Sequence, residues 1–253
     1  MPVWREVRIR RATASGRGNR RAARGAPSAQ LGSPGRGSRA RSSAHAASSP
    51  NTLDDFRRLA ARCTACDLYK RATQTVFGEG KRRAPIMLVG EQPGHEEDLA
   101  GHPFVGPAGR LLDKALEQAG LDRSDLYLTN AVKHFKWKPA EGGKRRIHER
   151  PRQGEVNACH PWLQQELEVV RPHVVVCLGA TAARAVVGHP VTITASRGRV
   201  LSSTAGHAAI VTVHPSAVLR APDDAARRAL MRRFVGDLRR AARAARPARD
   251  ARR

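Results

Sequence analysis

The chain has 253 residues and a formal charge of +24, with 46 lysines and arginines against 22 acidic residues. This excess of positive charge favours a polyanionic partner, of which nucleic acid is the simplest and an acidic membrane surface the alternative. No apolar run approaches the roughly 20 residues that cross a bilayer, which disfavours the membrane. Aromatic residues make up only 4% of the chain, so its core must consist mostly of aliphatic side chains.

The first 50 residues differ from the rest, because they hold eleven arginines and a single acid, Glu6, among Gly, Ser, Ala and Pro. Such a segment buries too little apolar surface to offset its ordering entropy, so we expect a disordered basic arm. Its composition resembles an organelle transit peptide, but a DNA-associating arm or an over-extended start codon is the favoured interpretation. No secretory apolar stretch begins the chain, so the expected location is the cytoplasm, in association with the nucleoid. We expect one monomeric domain over residues 51–245 and a basic tail over residues 246–253.

Beyond the arm, apolar runs alternate with helical patterns. Four apolar runs predict buried strands, at Ala84–Gly90, Asp125–Val132, His173–Gly179 and Ala208–His214. Helical spacing and end signals predict helices at Leu53–Arg62, Ala108–Ala119, Glu155–Val170, Ala180–Val187 and Asp223–Ala245. The glycine-rich segment Glu91–Pro107 is expected to be a loop. We therefore predict an α/β fold, a three-layer α/β/α sandwich around a central four-stranded parallel sheet.

Polar side chains follow the ends of three predicted strands. Glu91 and Gln92 come after the first strand, Asn130 lies near the end of the second, and His214 ends the fourth. In open parallel sheets, ligands bind at the carboxyl ends of the strands. The sequence therefore predicts that these four residues meet at one edge of the sheet.

The segment Lys144–His148 joins three consecutive cations to a histidine. Adjacent cations suit a phosphate backbone, and an imidazole can act as base, acid, ligand or nucleophile near neutral pH. Taken alone, such a segment is also typical of a solvated surface loop. We expect a basic loop that contributes to function.

Four cysteines in a chain of this length argue for a metal site and against a disulfide framework. Cys63 and Cys66 are separated by two residues, a spacing at which thiolates share a metal ion or cluster. Cys177 lies among valines in a predicted strand, so we expect it to be a buried core thiol.

Two longer motifs resemble a known family. Gly90–Gly94 (GEQPG), followed by Glu97, Asp98 and Gly101–Gly109 (GHPFVGPAG), is similar to the first motif of the uracil-DNA glycosylase superfamily, nearest its iron–sulfur family 4. His214–Arg220 (HPSAVLR) is similar to the second motif. The Lys144–His148 segment resembles the insertion that defines the UdgX subgroup. Gln92 is also similar to that subgroup, which has glutamine at a position where family 4 usually has alanine. The resemblance runs from about Cys63 to Leu238.

This resemblance implies excision of uracil from DNA. It implies that His214 stabilises the departing uracil at its O2, that Asn130 reads the Watson–Crick edge, and that Phe104 stacks on the ring. Gln92 would contact the base or its phosphate surroundings. The likeness to the UdgX subgroup further implies that His148 attacks the sugar C1′ and stays bonded to it.

Supporting roles follow from the same resemblance. Glu91 would take or orient the second proton of the histidine nucleophile, and Asp98 would tune the site or orient the basic loop. Arg146 would grip phosphate or hold the loop closed. The DNA contacts are expected from Lys144, Arg145, Arg146, Ser216 and Arg220, with Pro215–Leu219 entering the strand as the base leaves.

Family 4 proteins carry a [4Fe–4S] cluster on four cysteines. The implied ligands here are Cys63, Cys66, His134 and Cys159, with His134 standing where the family has a third cysteine. Zinc remains the alternative metal for three cysteines and one histidine.

The expected partner is uracil-containing DNA, with single strands favoured and double strands open, and no membrane. Two other functions stay open. One is a conventional family 4 glycosylase that turns over with water, and the other is a non-catalytic, metal-containing DNA-binding module.

Overall fold

The computed structural model describes residues 51–142 and 145–246. The predicted basic arm, Lys144 and residues 247–253 of the predicted tail lie outside the described residues. None of the helices in the described part of the chain is both long and apolar enough to cross a membrane.

Eight strands of the described residues make up one sheet and one hairpin. They are β1 (Glu79–Gly80), β2 (Ile86–Gly90), β3 (Tyr127–Asn130), β4 (Trp137–Pro139), β5 (Arg146–His148), β6 (Val174–Leu178), β7 (Val200–Ser202) and β8 (Ala208–Thr212). The sheet has the order β1-β3-β2-β6-β8-β7, and β4 pairs with β5. The four inner strands are parallel, and the two edge strands are antiparallel to their neighbours.

The four predicted strands are therefore the four parallel ones, and the α/β prediction is confirmed. The predicted number of strands was wrong, because the sheet has six within the part of the chain that the structure describes. The two additional strands are two and three residues long and mostly solvent-accessible. A short edge strand needs no apolar run, since its stability comes from hydrogen bonds to a neighbouring strand.

Eight α-helices of residues 51–142 and 145–246 surround the sheet. They are α1 (Leu53–Ala60), α2 (His95–Ala100), α3 (Pro107–Ala119), α4 (Gln153–Val170), α5 (Ala180–Val187), α6 (Ile193–Ser196), α7 (Pro215–Leu219) and α8 (Asp224–Ala244). The five predicted helices are present, with ends shifted by at most two residues. The prediction of a loop over Glu91–Pro107 was wrong where α2 forms. This helix is only six residues long and is enclosed by Gly94 and by Gly101, whose φ of 79° ends it.

The sheet buries both of its faces. Alternate residues of β2 point to opposite sides, so Met87 and Val89 join a core with α1, α4 and α5, whereas Ile86 and Leu88 join a core with α3 and α8. This arrangement confirms the three-layer sandwich. Cys177 is fully buried in the first core, as predicted, and burial raises the pKa of its thiol to about 12.

A buried ion pair fixes the carboxyl end of β3. The Lys133 ammonium donates to Glu166 Oε2 (2.5 Å), to Thr129 Oγ1 (2.7 Å) and to the backbone carbonyl of Asn130 (2.7 Å). Both charged side chains are at most 1% exposed. A buried charge is tolerated only when it is paired and hydrogen-bonded, as it is here. The pair therefore holds Asn130 at a defined place beside α4.

The β4–β5 hairpin projects from the end of β3. Trp137 pairs with His148, and Pro139 pairs with Arg146. The prediction of a loop over Lys144–His148 was thus wrong for its last three residues, which form β5. The hairpin has three described pairs and no alternation of apolar residues, so the sequence carries no strand signal there.

Candidate active site

A cavity of about 860 Å³ opens at the carboxyl edge of the parallel strands. Eight of the predicted site residues line it. They are Glu91, Gln92, Phe104, Asn130, His148, His214, Ser216 and Arg220. The predicted convergence of Glu91, Gln92, Asn130 and His214 at one sheet edge is confirmed, because parallel strands bring their carboxyl ends together.

Asn130 lies on the inner wall of this cavity and is only 2% exposed. It pairs with Gly90 across β2 and β3. A Cβ atom on Gly90 would stand 2.2 Å from Asn130 Oδ1 and 2.7 Å from Phe104 Cζ, so glycine is required for both side chains to fit. Within the described residues, the Asn130 side-chain amide makes no hydrogen bond. Its donors and its acceptor are therefore available to a ligand.

Phe104 forms an aromatic wall of the cavity, and its backbone is unusual. Its φ is 57°, a left-handed conformation that is uncommon for a bulky residue, and its side chain is buried. Its ring centroid lies 6.4 Å from that of His214. Gly109 makes room for this turn, because a Cβ atom there would stand 1.9 Å from the Phe104 carbonyl oxygen. The strained backbone thus presents a flat apolar surface beside the histidine and the amide.

His214 begins α7 as its N-cap residue. The backbone N–H of Ser216 donates to His214 Nδ1 (3.2 Å), and the Ser216 hydroxyl lies 2.8 Å from the same atom. Since Nδ1 is an acceptor, the neutral ring carries its proton on Nε2. Burial, with a smaller effect of the nearby His148 and Arg220, lowers the pKa of His214 to about 4. At neutral pH the ring is therefore an uncharged N–H donor in the cavity wall.

His148 ends β5 at the mouth of the cavity, with its side chain 49% exposed. Its Nε2 lies 3.7 Å from Glu91 Oε1, and its ring tilts against Phe135 with centroids 6.1 Å apart. Burial lowers the pKa of His148, the Glu91 carboxylate opposes this shift, and Arg220 adds to it. The imidazole is thus mainly neutral at pH 7, so it keeps a nitrogen lone pair.

Two residues that sequence reasoning missed hold Glu91. The Thr181 hydroxyl donates to Glu91 Oε2, and Arg150 Nε lies 3.7 Å from the same oxygen. Arg150 also lines the cavity and follows His148 by two residues, so its position beside the basic segment was a usable signal. Thr181 lies in the first turn of α5, 90 residues away from Glu91, and nothing in the sequence distinguishes it.

Gln92 lies against the hairpin, not free in the cavity. Its Nε2 donates to the carbonyls of Lys136 and Glu149, both at 3.1 Å, and its Oε1 accepts from the Lys136 backbone N–H at 3.1 Å. Lys136 and Glu149 are the residues that flank the two hairpin strands. Both N–H groups of the amide are used, so the geometry fits an anchor of the hairpin better than the predicted contact with the base.

Arg146 and Asp98 also hold the hairpin. Asp98 lies fully buried on α2, and its carboxylate accepts from Arg146 Nη1 (2.6 Å). Arg146 Nε donates to His95 Nδ1 (2.9 Å), and its guanidinium lies over the rings of Phe135 and Trp137. The Arg146 side chain is only 17% exposed. Of its two predicted roles, this geometry fits closure of the hairpin and leaves little surface to grip phosphate. It also fits the predicted orienting role of Asp98.

The other predicted DNA contacts are surface groups. Arg145 and Arg220 are exposed, and Arg220 borders the cavity beside Leu219, an apolar side chain that is 41% exposed. Ser216 borders the cavity but is engaged with His214. Lys144 lies outside the described residues.

Three of the predicted metal ligands gather under α4. Cys63, Cys66 and Cys159 pack in one cluster, where Cys63 Sγ accepts from Trp162 Nε1 (3.3 Å) and Cys159 Sγ accepts from the Lys133 backbone N–H (3.2 Å). Burial raises the pKa of Cys66 and of Cys159, the latter to about 12, and the nearby Cys63 thiol adds to both shifts.

The fourth predicted ligand, His134, is buried, and its Nε2 lies 2.8 Å from Thr75 Oγ1. The Thr75 hydroxyl donates its one proton to the Ala60 carbonyl (3.1 Å), so its oxygen accepts a hydrogen bond from His134 Nε2–H. This leaves Nδ1 unprotonated and able to bind a metal, in the pattern by which a second residue orients a histidine ligand.

The donor set, three thiols and one imidazole lone pair, fits an iron–sulfur cluster or zinc in its chemistry. In the part of the chain that the structure describes, no three such side chains converge on a point suited to a single metal ion. The ligands of a cubane bind different iron atoms and need not converge in this way.

The fold and the cavity together define an α/β protein with a cavity at a sheet edge, and an aromatic ring, a free amide and a neutral imidazole line that cavity. A family model described as Uracil DNA glycosylase superfamily matches residues 77–239. The chain therefore belongs to the uracil-DNA glycosylase superfamily.

Similar curated proteins include glycosylases of two types. The type-4 uracil-DNA glycosylase of Thermotoga maritima is 40% identical over 171 residues, which cover 67% of this chain and 84% of that protein. The type-4 enzyme of Pyrobaculum aerophilum is 34% identical over 181 residues, covering 67% of this chain and 86% of that protein. A type-5 uracil-DNA glycosylase of the same organism is 36% identical over 154 residues, covering 54% and 63%.

Proposed function

We propose that this protein excises uracil from DNA and becomes covalently bonded to C1′ of the abasic sugar through His148. The observation that carries the proposal is the position of His148, beside the carboxylate of Glu91 and in the same cavity as Asn130 and His214. The relatives named type-4 uracil-DNA glycosylases support uracil as the base. The similarity of the basic segment and of Gln92 to the UdgX subgroup supports the covalent outcome.

The inner wall of the cavity suits a flipped uracil. Its ring would lie on Phe104, and the free Asn130 amide would pair with the imide edge, which offers both a donor and an acceptor. Enzymes of this kind spend a few kcal/mol to unstack the base. The exposed Leu219 at the cavity rim would fill the space that the base leaves in the strand.

Bond cleavage moves an electron pair from the C1′–N1 bond onto uracil and leaves positive charge on the sugar. His214 would stabilise the uracil anion by donating Nε2–H to O2. A neutral donor suits this role, because it stabilises the developing charge without surrendering its proton in the ground state. The depressed pKa of His214 keeps that donor neutral at physiological pH.

His148 would then bond to C1′ through a ring nitrogen lone pair. The ring becomes an imidazolium, which the Glu91 carboxylate stabilises, and loss of the remaining ring proton leaves a neutral N-alkylated imidazole. Such a bond has no easy hydrolytic exit, so the product would be a DNA–protein crosslink. Thr181 and Arg150 would hold the Glu91 carboxylate in place for this step.

A conventional glycosylase is the second candidate, because Glu91 also borders open cavity volume. There its carboxylate would orient a water molecule that attacks C1′ in place of His148. The enzyme would then turn over, as a hydrolase does. A non-catalytic DNA-binding module has no need of a neutral histidine donor and a free amide in one pocket.

We further propose that Cys63, Cys66, Cys159 and His134 hold a [4Fe–4S] cluster. Cluster binding would fix the segment from Asn130 to His134, because the Lys133 backbone N–H already donates to Cys159 Sγ. When bound, the cluster would link the chain segments that carry these four residues and so stabilise the fold. The protein would act as a monomer in the cytoplasm, with single-stranded DNA as its preferred substrate.

One experiment separates the candidates. The full-length protein is incubated with an end-labelled, uracil-containing single strand and analysed on a denaturing gel after heating in SDS. A slow-migrating species that is absent with His148→Ala and absent with uracil-free DNA supports the covalent proposal. A free strand that breaks with alkali supports the conventional glycosylase and overturns the crosslink. An unchanged strand overturns both.

A further inference from the structure

The C-terminal helix α8 has two very different faces. Its inner face packs into the core through Phe234, Leu238 and Ala241, all fully buried. Its outer face is rich in arginine. Arg228, Arg232, Arg239 and Arg243 recur at spacings of four, seven and four residues, and all four are exposed. At about 3.6 residues per turn these spacings place them in one line along the helix, which we name the arginine stripe.

The arginine stripe lacks compensating acids. Within the described residues, Arg228, Arg232 and Arg243 form no ion pair, and Arg239 donates only to the backbone carbonyl of Gln118 (2.7 Å). Asp237, the acid in the middle of the helix, is buried and pairs with Arg197 and Arg240. Like charges one turn apart on a helix repel one another. An anionic partner along this face would relieve that repulsion.

The stripe begins close to the proposed active site. Arg220 and Leu219, at the end of α7, border the cavity, and α8 starts four residues after Arg220. The helix then runs to the opposite edge of the sheet, where the Ala245 carbonyl lies 2.8 Å from His173 Nδ1, at the beginning of β6. The stripe therefore leads away from the cavity along one side of the domain.

We propose that the arginine stripe binds the phosphate backbone of the DNA that flanks the target nucleotide on one side. Residues 228 and 243 are separated by about 22 Å at a rise of about 1.5 Å per residue. That length matches roughly six to seven phosphates of one strand, spaced about 3.4 Å apart. Charge complementarity selects the occupant, and guanidinium groups suit phosphate oxygens. The assignment of the flank rests on the proposed function, which places the target base in the cavity.

The test uses three double variants of the full chain that each remove two positive charges. Arg228→Gln with Arg232→Gln changes the near half of the stripe, and Arg239→Gln with Arg243→Gln changes the far half. The matched control is Arg58→Gln with Arg171→Gln, two exposed arginines on α1 and after α4, which pack on the other face of the sheet. Thermal melting checks that all three remain folded.

Binding is first measured by fluorescence anisotropy on uracil-free DNA over a range of salt. Each lost phosphate contact lowers the slope of log Kd against log salt by about 0.9 for duplex DNA and about 0.7 for single strands. We expect each stripe variant to lose about 1.8 on duplex, and the control to lose less than about 0.4. Stripe variants that match the control would overturn the proposal. So would weaker binding to anionic phospholipid vesicles with unchanged binding to DNA, since that would identify a membrane surface.

The register is then tested with DNA that carries 2′-fluoro-2′-deoxyuridine, whose fluorine opposes positive charge at C1′ and so slows excision. The DNA flank on each side of the analogue is either about four or about fourteen nucleotides long. The short flank ends before the far half of the arginine stripe, and the long flank extends beyond it. We expect the far variant to weaken binding only when one particular flank is long. Equal effects on all lengths would refute a flank-binding stripe. If the first assay shows the stripe effect but the analogue gives no tighter binding than thymidine, the proposed uracil recognition fails and the stripe stands.

Discussion

Gly90 offers a sharp test of the proposed base pocket. A Gly90→Ala substitution places a Cβ atom 2.2 Å from Asn130 Oδ1 and 2.7 Å from Phe104 Cζ, both closer than packed atoms tolerate. Asn130 and Phe104 are 2% and 5% exposed, and Gly90 lies on an inner strand of the sheet, so relief must come from those two side chains. Overpacking of this kind costs about 1–3 kcal/mol of folding stability.

The larger effect is expected on the chemistry. The displaced groups are the amide and the ring that would hold uracil, and a misplacement of about 1 Å costs on the order of 100-fold in rate. We therefore expect the single-turnover rate of uracil release to fall about 100-fold. The rate is measured by quenched-flow sampling of a labelled single strand, at a temperature where melting shows both proteins fully folded.

The matched control is Gly154→Ala. Gly154 lies in the first turn of α4 without a positive φ. Apart from its chain neighbours and the backbone of the helix itself, no atom of the described residues would lie within 4 Å of a Cβ atom there. The same chemical change should leave the rate unaltered and raise stability by at most about 1 kcal/mol. This prediction would be refuted by a folded Gly90→Ala protein whose rate of uracil release is within about threefold of the unmodified rate. That result would show that uracil does not bind between Asn130 and Phe104.

Three further predictions follow. Gln92→Ala removes three hydrogen bonds to the hairpin, so amide hydrogen exchange in β4 and β5 should become at least about tenfold faster. Crosslink formation by His148 should become slower. Unchanged exchange would argue against an anchoring role. The pKa of His214 falls from 6.5 when unfolded to about 4 when folded, so its contribution to stability, about 3 kcal/mol, should be complete above pH 6.5 and lost as pH falls towards 4. In urea titrations the His214→Gln variant should lack this part of the pH dependence. Thr75→Val removes the acceptor that sets the His134 tautomer, so iron per chain should drop, whereas Thr75→Ser should retain it; equal iron in both would refute the orienting role.

Much of the fold was predictable because local patterns carry it. The four inner strands are continuous apolar runs, since both of their faces are buried, and such runs have few other interpretations. Parallel strands connected by helices must end at the same edge, so the meeting of Glu91, Asn130 and His214 followed from their order along the chain. The buried state of Cys177 followed in the same way from its valine neighbours.

The side-chain partners inside the site were decided only by tertiary structure. Gln92 and Arg146 carry groups that could have served uracil or phosphate. Gln92 instead bonds to Lys136 and Glu149 beside the hairpin strands, and Arg146 of β5 bonds to Asp98 on α2. Nothing local distinguishes these uses, since a hydrogen bond depends on which distant segment arrives at the same place.

The sequence by itself thus determined the class of fold, the edge at which the site lies and the residue types that gather there. The tertiary structure decided the protonation and the hydrogen-bond partners of those residues. His214 is a neutral N–H donor because Ser216 caps its other nitrogen and burial disfavours its charge. Glu91 meets His148 because the hairpin folds back over the sheet edge, with Thr181 of a distant helix on the other side of the carboxylate. Protonation and orientation depend on solvent exclusion and on partners from several chain segments, and these exist only after the segments have packed.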